Sequence, residues 1–167
     1  MVGTLEKLEA CDEIAKLKYR YARALEERDW DRWADCFTED ATAQFMPAPG
    51  ETGSAVHHSR AELREWVRGA LDGVYPVIRV SMPDIEIIDA RRARADWAQV
   101  ERLAFAAGPL RDTTYYGYYH ETYEKCGDGR WRVASVTMTR MRHDTTDRAG
   151  GSAVHMDVAD RLEQVRP

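Results

Sequence analysis

Residues 92–141 of this 167-residue chain hold three consecutive β-patterned runs joined by short turns, with no helical period between them. Parallel strands need crossovers of a dozen residues or more, so these runs can only form an antiparallel meander. Residues 92–105 alternate, with Ala93, Ala95, Trp97, Gln99, Glu101 and Leu103 on one face and Arg94, Asp96, Ala98 and Val100 on the other. Residues 112–125 form the next run. Gly127-Asp128-Gly129 is a hairpin turn into residues 131–141. A further β-rich stretch at 77–88 precedes them, where Pro83 predicts a bulge or an edge position.

The first part of the chain has the other period. Ile14, Leu17, Tyr21 and Ala24/Leu25 recur at i, i+3, i+7 and i+10/11, the buried stripe of a helix. Tyr21 and Glu26 flank that stripe, within reach of a space beneath it. Asp29 is an N-cap for a short helix carrying Trp30 and Trp33, with Phe37 continuing their spacing. Residues 41–46 suit a strand and residues 47–50 a loop. Ser59-Arg60-Ala61-Glu62 is a capping box before an amphipathic helix with Leu63, Trp66, Val67, Ala70 and Leu71 on its apolar face, ended by Gly73. Helices first and an antiparallel sheet after them predict an α+β domain with helices on one face of a curved sheet. One domain over residues 1–142 is expected, with 143–167 as an extension containing a helix from Ser152 (Val154, Val158, Leu162, Val165).

Bulk properties narrow the partners. A net charge of −5 without a Lys/Arg run argues against nucleic acid or an anionic membrane. No run is apolar for the length of a membrane span, and the N-terminal residues lack the basic-then-apolar plan of a signal peptide. Three cysteines, Cys11, Cys36 and Cys126, form no CxxC and cannot all pair, which predicts a reducing, cytoplasmic setting. Adjacent His57 and His58 have no further ligand at suitable spacing, so no metal is expected. No glycine pattern cradles a phosphate, so no cofactor is expected either.

Three separated motifs, YARALEERDWDRWADCFTEDA from Tyr21, the capping box before a short amphipathic helix, and GYYHETYEKCGDGRWRVAS from Gly117, occur in an order that resembles the SnoaL-like branch of the nuclear-transport-factor-2-like superfamily. The resemblance spans about residues 14–141. It implies a cone-shaped α+β barrel around an apolar pocket, usually in a homodimer. It further implies one of several activities: dehydratase, isomerase, polyketide cyclase or limonene-type epoxide hydrolase, or a binding or assembly domain without chemistry.

The resemblance also assigns candidate residues. Glu26 falls where family dehydratases carry an aspartate, and Tyr21 where bile-acid dehydratases carry a site tyrosine. Arg79 falls near the position of the histidine in scytalone dehydratase-like members, so the usual His–Asp pairing is absent. Glu26 is then a base next to a carbonyl, Tyr21 and Tyr119 phenolic donors, and Arg79 an electrostatic stabiliser. A surface acid at Glu26 and an outward arginine at Arg79 remain the alternatives. Phe45, His58, Trp97, Gln99, Glu101 and Glu121 are expected substrate contacts. His120 has the opposite parity to Tyr119, which favours the sheet's outer surface or a dimer interface. Arg94-x-Asp96 mimics the water-orienting pair of limonene-type hydrolases, but alignment through Trp97 moves that motif onto Trp97 and Gln99. The expected activity is cofactor-independent acid/base chemistry on a hydrophobic oxygenated small molecule such as a polyketide, steroid or terpenoid.

Overall fold

A computed structural model describes residues 2–105, 111–147 and 151–156. Helix α1 (Thr4–Glu27) buries Ile14, Leu17, Tyr21, Ala24 and Leu25 along one stripe and stops where Arg28 turns left-handed (φ 58°). Short α2 (Trp30–Ala34) is capped by the Asp29 carboxylate, which accepts from the Arg32 N–H at 3.0 Å. Strands β1 (Phe37–Phe45) and β2 (Ala55–His57) follow, then α3 (Arg60–Ala70). The Ser59 hydroxyl accepts from the Glu62 N–H at 3.1 Å, while Glu62 reaches back to the His58 N–H at 2.9 Å. The returning contact is thus one residue earlier than the capping box prescribes.

Four long strands complete the sheet: β3 (Val74–Ile87), β4 (Arg92–Phe105), β5 (Arg111–Lys125) and β6 (Trp131–Asp147), with β7 (Gly151–Met156) paired to β6. The order is β2-β1-β6-β5-β4-β3, and only β1 and β6 run parallel. The sheet is curved and open, with the N-terminal helices packed against it, the α+β arrangement expected above. The expected irregularity at Pro83 is present as a register shift between Ser81 and Asp84, with Met82 at φ 48°. Two expectations need correction. β6 continues past residue 142, because β5 and then β7 supply partners as far as Asp147. Residues 151–156 are a strand and not the start of a helix; the β6 edge satisfies their backbone groups, which outweighs a weak apolar periodicity. Val158, Leu162 and Val165 lie outside the described residues.

The inward faces agree with the sequence parity. Trp97, Gln99 and Glu101 of β4 and Tyr119, Glu121 and Tyr123 of β5 are all buried. Gly117 sits opposite Gln99, where the β6 backbone comes so close that a Cβ would lie 1.8 Å from the Thr139 carbonyl oxygen. At the narrow end, Asp35 and Asp128 are bridged by Arg130 and Arg132, which ties the β5–β6 turn to the end of α2. No helix among the described residues is long and apolar enough to cross a membrane.

Candidate active site

Beneath α1 and α3 the sheet encloses a cavity of about 130 Å3. Its walls are apolar, from Leu25, Trp33, Val67, Ile78 and Met138 among others, and its polar groups are four: Tyr21, Glu101, Tyr119 and Arg140. A shallower depression of about 420 Å3, bounded by residues 51–55, shares Phe45, Trp66 and Arg140 with it. Phe45 and Trp66 stack there with ring centres 4.5 Å apart and planes within 16°.

The polar groups come in two pairs. Tyr21 and Tyr119 are 1% and 2% exposed, with ring centres 5.9 Å apart. The two rings meet edge to face, at 73°. Burial, reinforced by the nearby Glu101 and Glu121 carboxylates, pushes both phenols well above their ordinary range, so both stay protonated at neutral pH.

In the second pair, Arg140 Nη2 donates to Glu101 Oε2 at 2.9 Å, with side chains 17% and 11% exposed. Glu101 Oε1 has no hydrogen-bond partner among the described residues, and Arg140 Nε is buried without an acceptor. The Arg140 guanidinium lies over the Tyr115 ring at 4.3 Å, and Tyr115 donates to Glu51 at 2.9 Å. Burial opposes the charge on Arg140, but Glu101 more than restores it and holds the guanidinium protonated. The cavity thus gathers a carboxylate with one oxygen free of hydrogen bonds among the described residues, a guanidinium and two phenols, inside apolar walls.

Of the expected site residues, Tyr21, Tyr119, Glu101 and Phe45 line this cavity. Glu26 and Arg79 do not. They find each other instead: Arg79 donates to Glu26, whose same oxygen accepts the Ile78 N–H at 2.7 Å, on the edge of β3. Arg79 is 67% exposed because its neighbour Ile78 takes the inward position, the parity alternative left open above. Glu121 and Trp97 lie deeper than the cavity wall, in a buried network: Trp97 Nε1 donates to the Tyr123 hydroxyl at 2.9 Å, and Tyr123 donates to Glu121. Gln99 is 3% exposed and outside the lining, with neither amide atom hydrogen-bonded. His58 is exposed. Its neighbour His57 is buried instead, against the Trp66 ring at 4.8 Å. His120 faces outward, Nδ1 2.7 Å from Asp96 and Nε2 3.3 Å from Thr139.

Two residues escaped the sequence reading. Arg140 has the parity of Met138, an inward position on β6, but an arginine in a strand has the appearance of a solvated residue. Lys18 is completely buried, beside Leu17 and between Ile14 and Tyr21 on the apolar stripe. A lysine in that position is a visible signal, since a buried charge requires a partner.

The profile of the SnoaL-like domain family matches residues 6–137. The chain belongs to the SnoaL-like family. Among solved structures similar to this SnoaL-like protein is a scytalone dehydratase candidate from Novosphingobium aromaticivorans, 18% identical, with TM-score 0.73, covering 90% of this chain and 95% of that one. A Mycobacterium tuberculosis protein of unknown function, Rv3472, is 28% identical, with TM-score 0.70 and coverages of 84% and 77%. A hexachlorocyclohexane dehydrochlorinase, LinA type 2, is 14% identical, with TM-score 0.72 and coverages of 87% and 95%. At such identities the dehydratase and dehydrochlorinase likenesses establish the fold alone.

Proposed function

We propose that this chain is a cofactor-independent acid/base enzyme that eliminates or isomerises next to a carbonyl in a hydrophobic oxygenated small molecule. The observation that carries the reading is the open Glu101 oxygen set in an apolar cavity with Arg140 and the Tyr21–Tyr119 pair. Glu101 takes a proton from the carbon beside the carbonyl. Arg140 and Tyr119 hold the enolate oxygen by hydrogen bonds that strengthen as its charge grows. In a dehydration the C–O bond then breaks, the electron pair closes the double bond, and Glu101 returns its proton to the departing hydroxide as water. In an isomerisation the same proton returns to a different carbon. The phenols donate hydrogen bonds throughout without losing their protons, as their raised pKa values require.

Two relatives bear the names of elimination reactions, dehydratase and dehydrochlorinase, which supports the class of chemistry and leaves the substrate open. The test is turnover of a panel of β-hydroxy ketones. Glu101→Gln is expected to lower it at least about a hundredfold while the fold persists. Full activity in that variant would overturn the reading. A second reading, a pocket that retains its ligand without chemistry, draws on the Arg140 bond that already occupies Glu101 Oε2. It predicts that a bound β-hydroxy ketone is recovered unchanged.

A further inference from the structure

Lys18 is the group that the reaction above leaves unused. Its Nζ donates to Glu121 Oε1 at 2.5 Å, with both side chains 0% exposed. The same ammonium lies 3.6 Å from the centre of the Tyr119 ring and 4.0 Å from that of Tyr21. Behind it, the Trp97–Tyr123–Glu121 chain of hydrogen bonds fixes the carboxylate. We infer that Lys18 is a positioning residue that polarises the Tyr21–Tyr119 pair and makes Tyr119 a stronger hydrogen-bond donor to the ligand in the cavity.

The argument begins with cost. A fully buried ammonium and carboxylate lose their hydration, and an apolar pair of similar volume would often hold the same fold equally well or better. A lysine there needs a reason other than packing, and its two neighbours supply one. The faces of aromatic rings carry negative potential, so the ammonium is attracted to both phenols at once. The attraction works in both directions. A cation against the ring face draws electron density from it, strengthens the O–H as a donor and stabilises negative charge arriving near the phenol oxygen. Four charged groups act on the phenol pair: Lys18 at the ring faces, with Glu101, Glu121 and Arg140 around it. Arg140 offsets the two carboxylates, which raise Tyr119, and Lys18 adds its charge at the ring faces. Glu121 has a second task. Burial lowers the Lys18 pKa, and Glu121 opposes that shift through its charge and its hydrogen bond. Trp97 and Glu121, expected to contact substrate, thus act through Lys18.

Only the catalytic consequence rests on the proposed reaction; the effect on the phenols is independent of it. The test therefore reads acidity directly. A fluorinated tyrosine at position 119 titrates in an accessible range and reports its ionisation by absorbance. It is compared in the native background, in Lys18→Arg, and in Lys18→Met/Glu121→Gln. The double variant avoids stranding a buried carboxylate, and its amide oxygen still accepts from Tyr123. Expected is a phenol at least tenfold less acidic in the double variant than in Glu121→Gln measured beside it, a comparison that cancels the carboxylate's own effect on the phenol, and within threefold of native in Lys18→Arg, with the fold of each verified by near-ultraviolet circular dichroism. A folded double variant as acidic as Glu121→Gln would overturn the inference. So would an equal loss in Lys18→Arg, which would mark a role in packing alone. Because no turnover enters, failure of the Glu101→Gln test would remove the proposed reaction and leave this assignment intact.

Discussion

Two of the molecule's Glu–Arg pairs stand in opposite settings. Glu26 and Arg79 meet on the edge of β3, where Arg79 is 67% exposed and water screens their attraction. Glu101 and Arg140 meet inside the cone, at 11% and 17% exposure, among apolar walls. Residue type is identical, and helix-one position alone favours the first pair. Environment separates them: only the second has unused hydrogen-bonding atoms facing a cavity.

The strongest way to break this contrast is catalytic. Glu26→Gln is expected to leave turnover of the β-hydroxy ketone panel within about threefold, against the hundredfold loss for Glu101→Gln. Comparable losses would return Glu26 to the site. Stability gives the next contrast. Arg140→Met strands a buried carboxylate and should cost about 3–5 kcal/mol in urea unfolding, whereas Arg79→Met removes a solvated partner and should cost about 0–1 kcal/mol. Equal costs would show that the interior pair is as wet as the edge pair. Smaller again is Glu26→Leu, which leaves the Ile78 N–H without its acceptor and should cost about 1–2 kcal/mol. A rise in melting temperature instead would mark Glu26 as a strained functional carboxylate. The smallest effect concerns a third set, at the β5–β6 turn. Hydrogen bonds from Arg132 first, and also from the Arg130 N–H, hold the Asp128 carboxyl below its usual range. A depressed carboxylate contributes stability above its unfolded pKa and loses it as pH falls through the folded value. Asp128→Asn should therefore flatten the fall of the urea midpoint below about pH 4.

Much of this was legible before the fold was known. The meander, the Gly127–Gly129 turn, both N-caps and the inward face of β4 all follow from local chemistry and a period of two. Alternation puts Tyr119 and His120 on opposite faces and the family resemblance turns the Tyr119 face inward; both lie so. Glu26 and Arg79 were misplaced because their setting depends on how α1 docks on β3, a contact about fifty residues apart in sequence. No window of periodicity contains it. Arg140 was missed for the opposite reason: its parity was plain, but an arginine on a strand reads as solvated until the cavity is seen. The terminal segment failed because pairing with β6 supplied backbone partners that local apolar spacing could not foretell.

The staple on β3 has one more result. An unpaired strand margin is a template on which another chain can extend the sheet. On β3, Glu26 occupies the Ile78 N–H and Arg28 the Val74 carbonyl, and Pro83 has no N–H to offer. At the far side β2 is only three residues long. Glu26, expected above in a reaction centre, works with Arg28 as a stopper, denying neighbouring molecules a strand on which to polymerise.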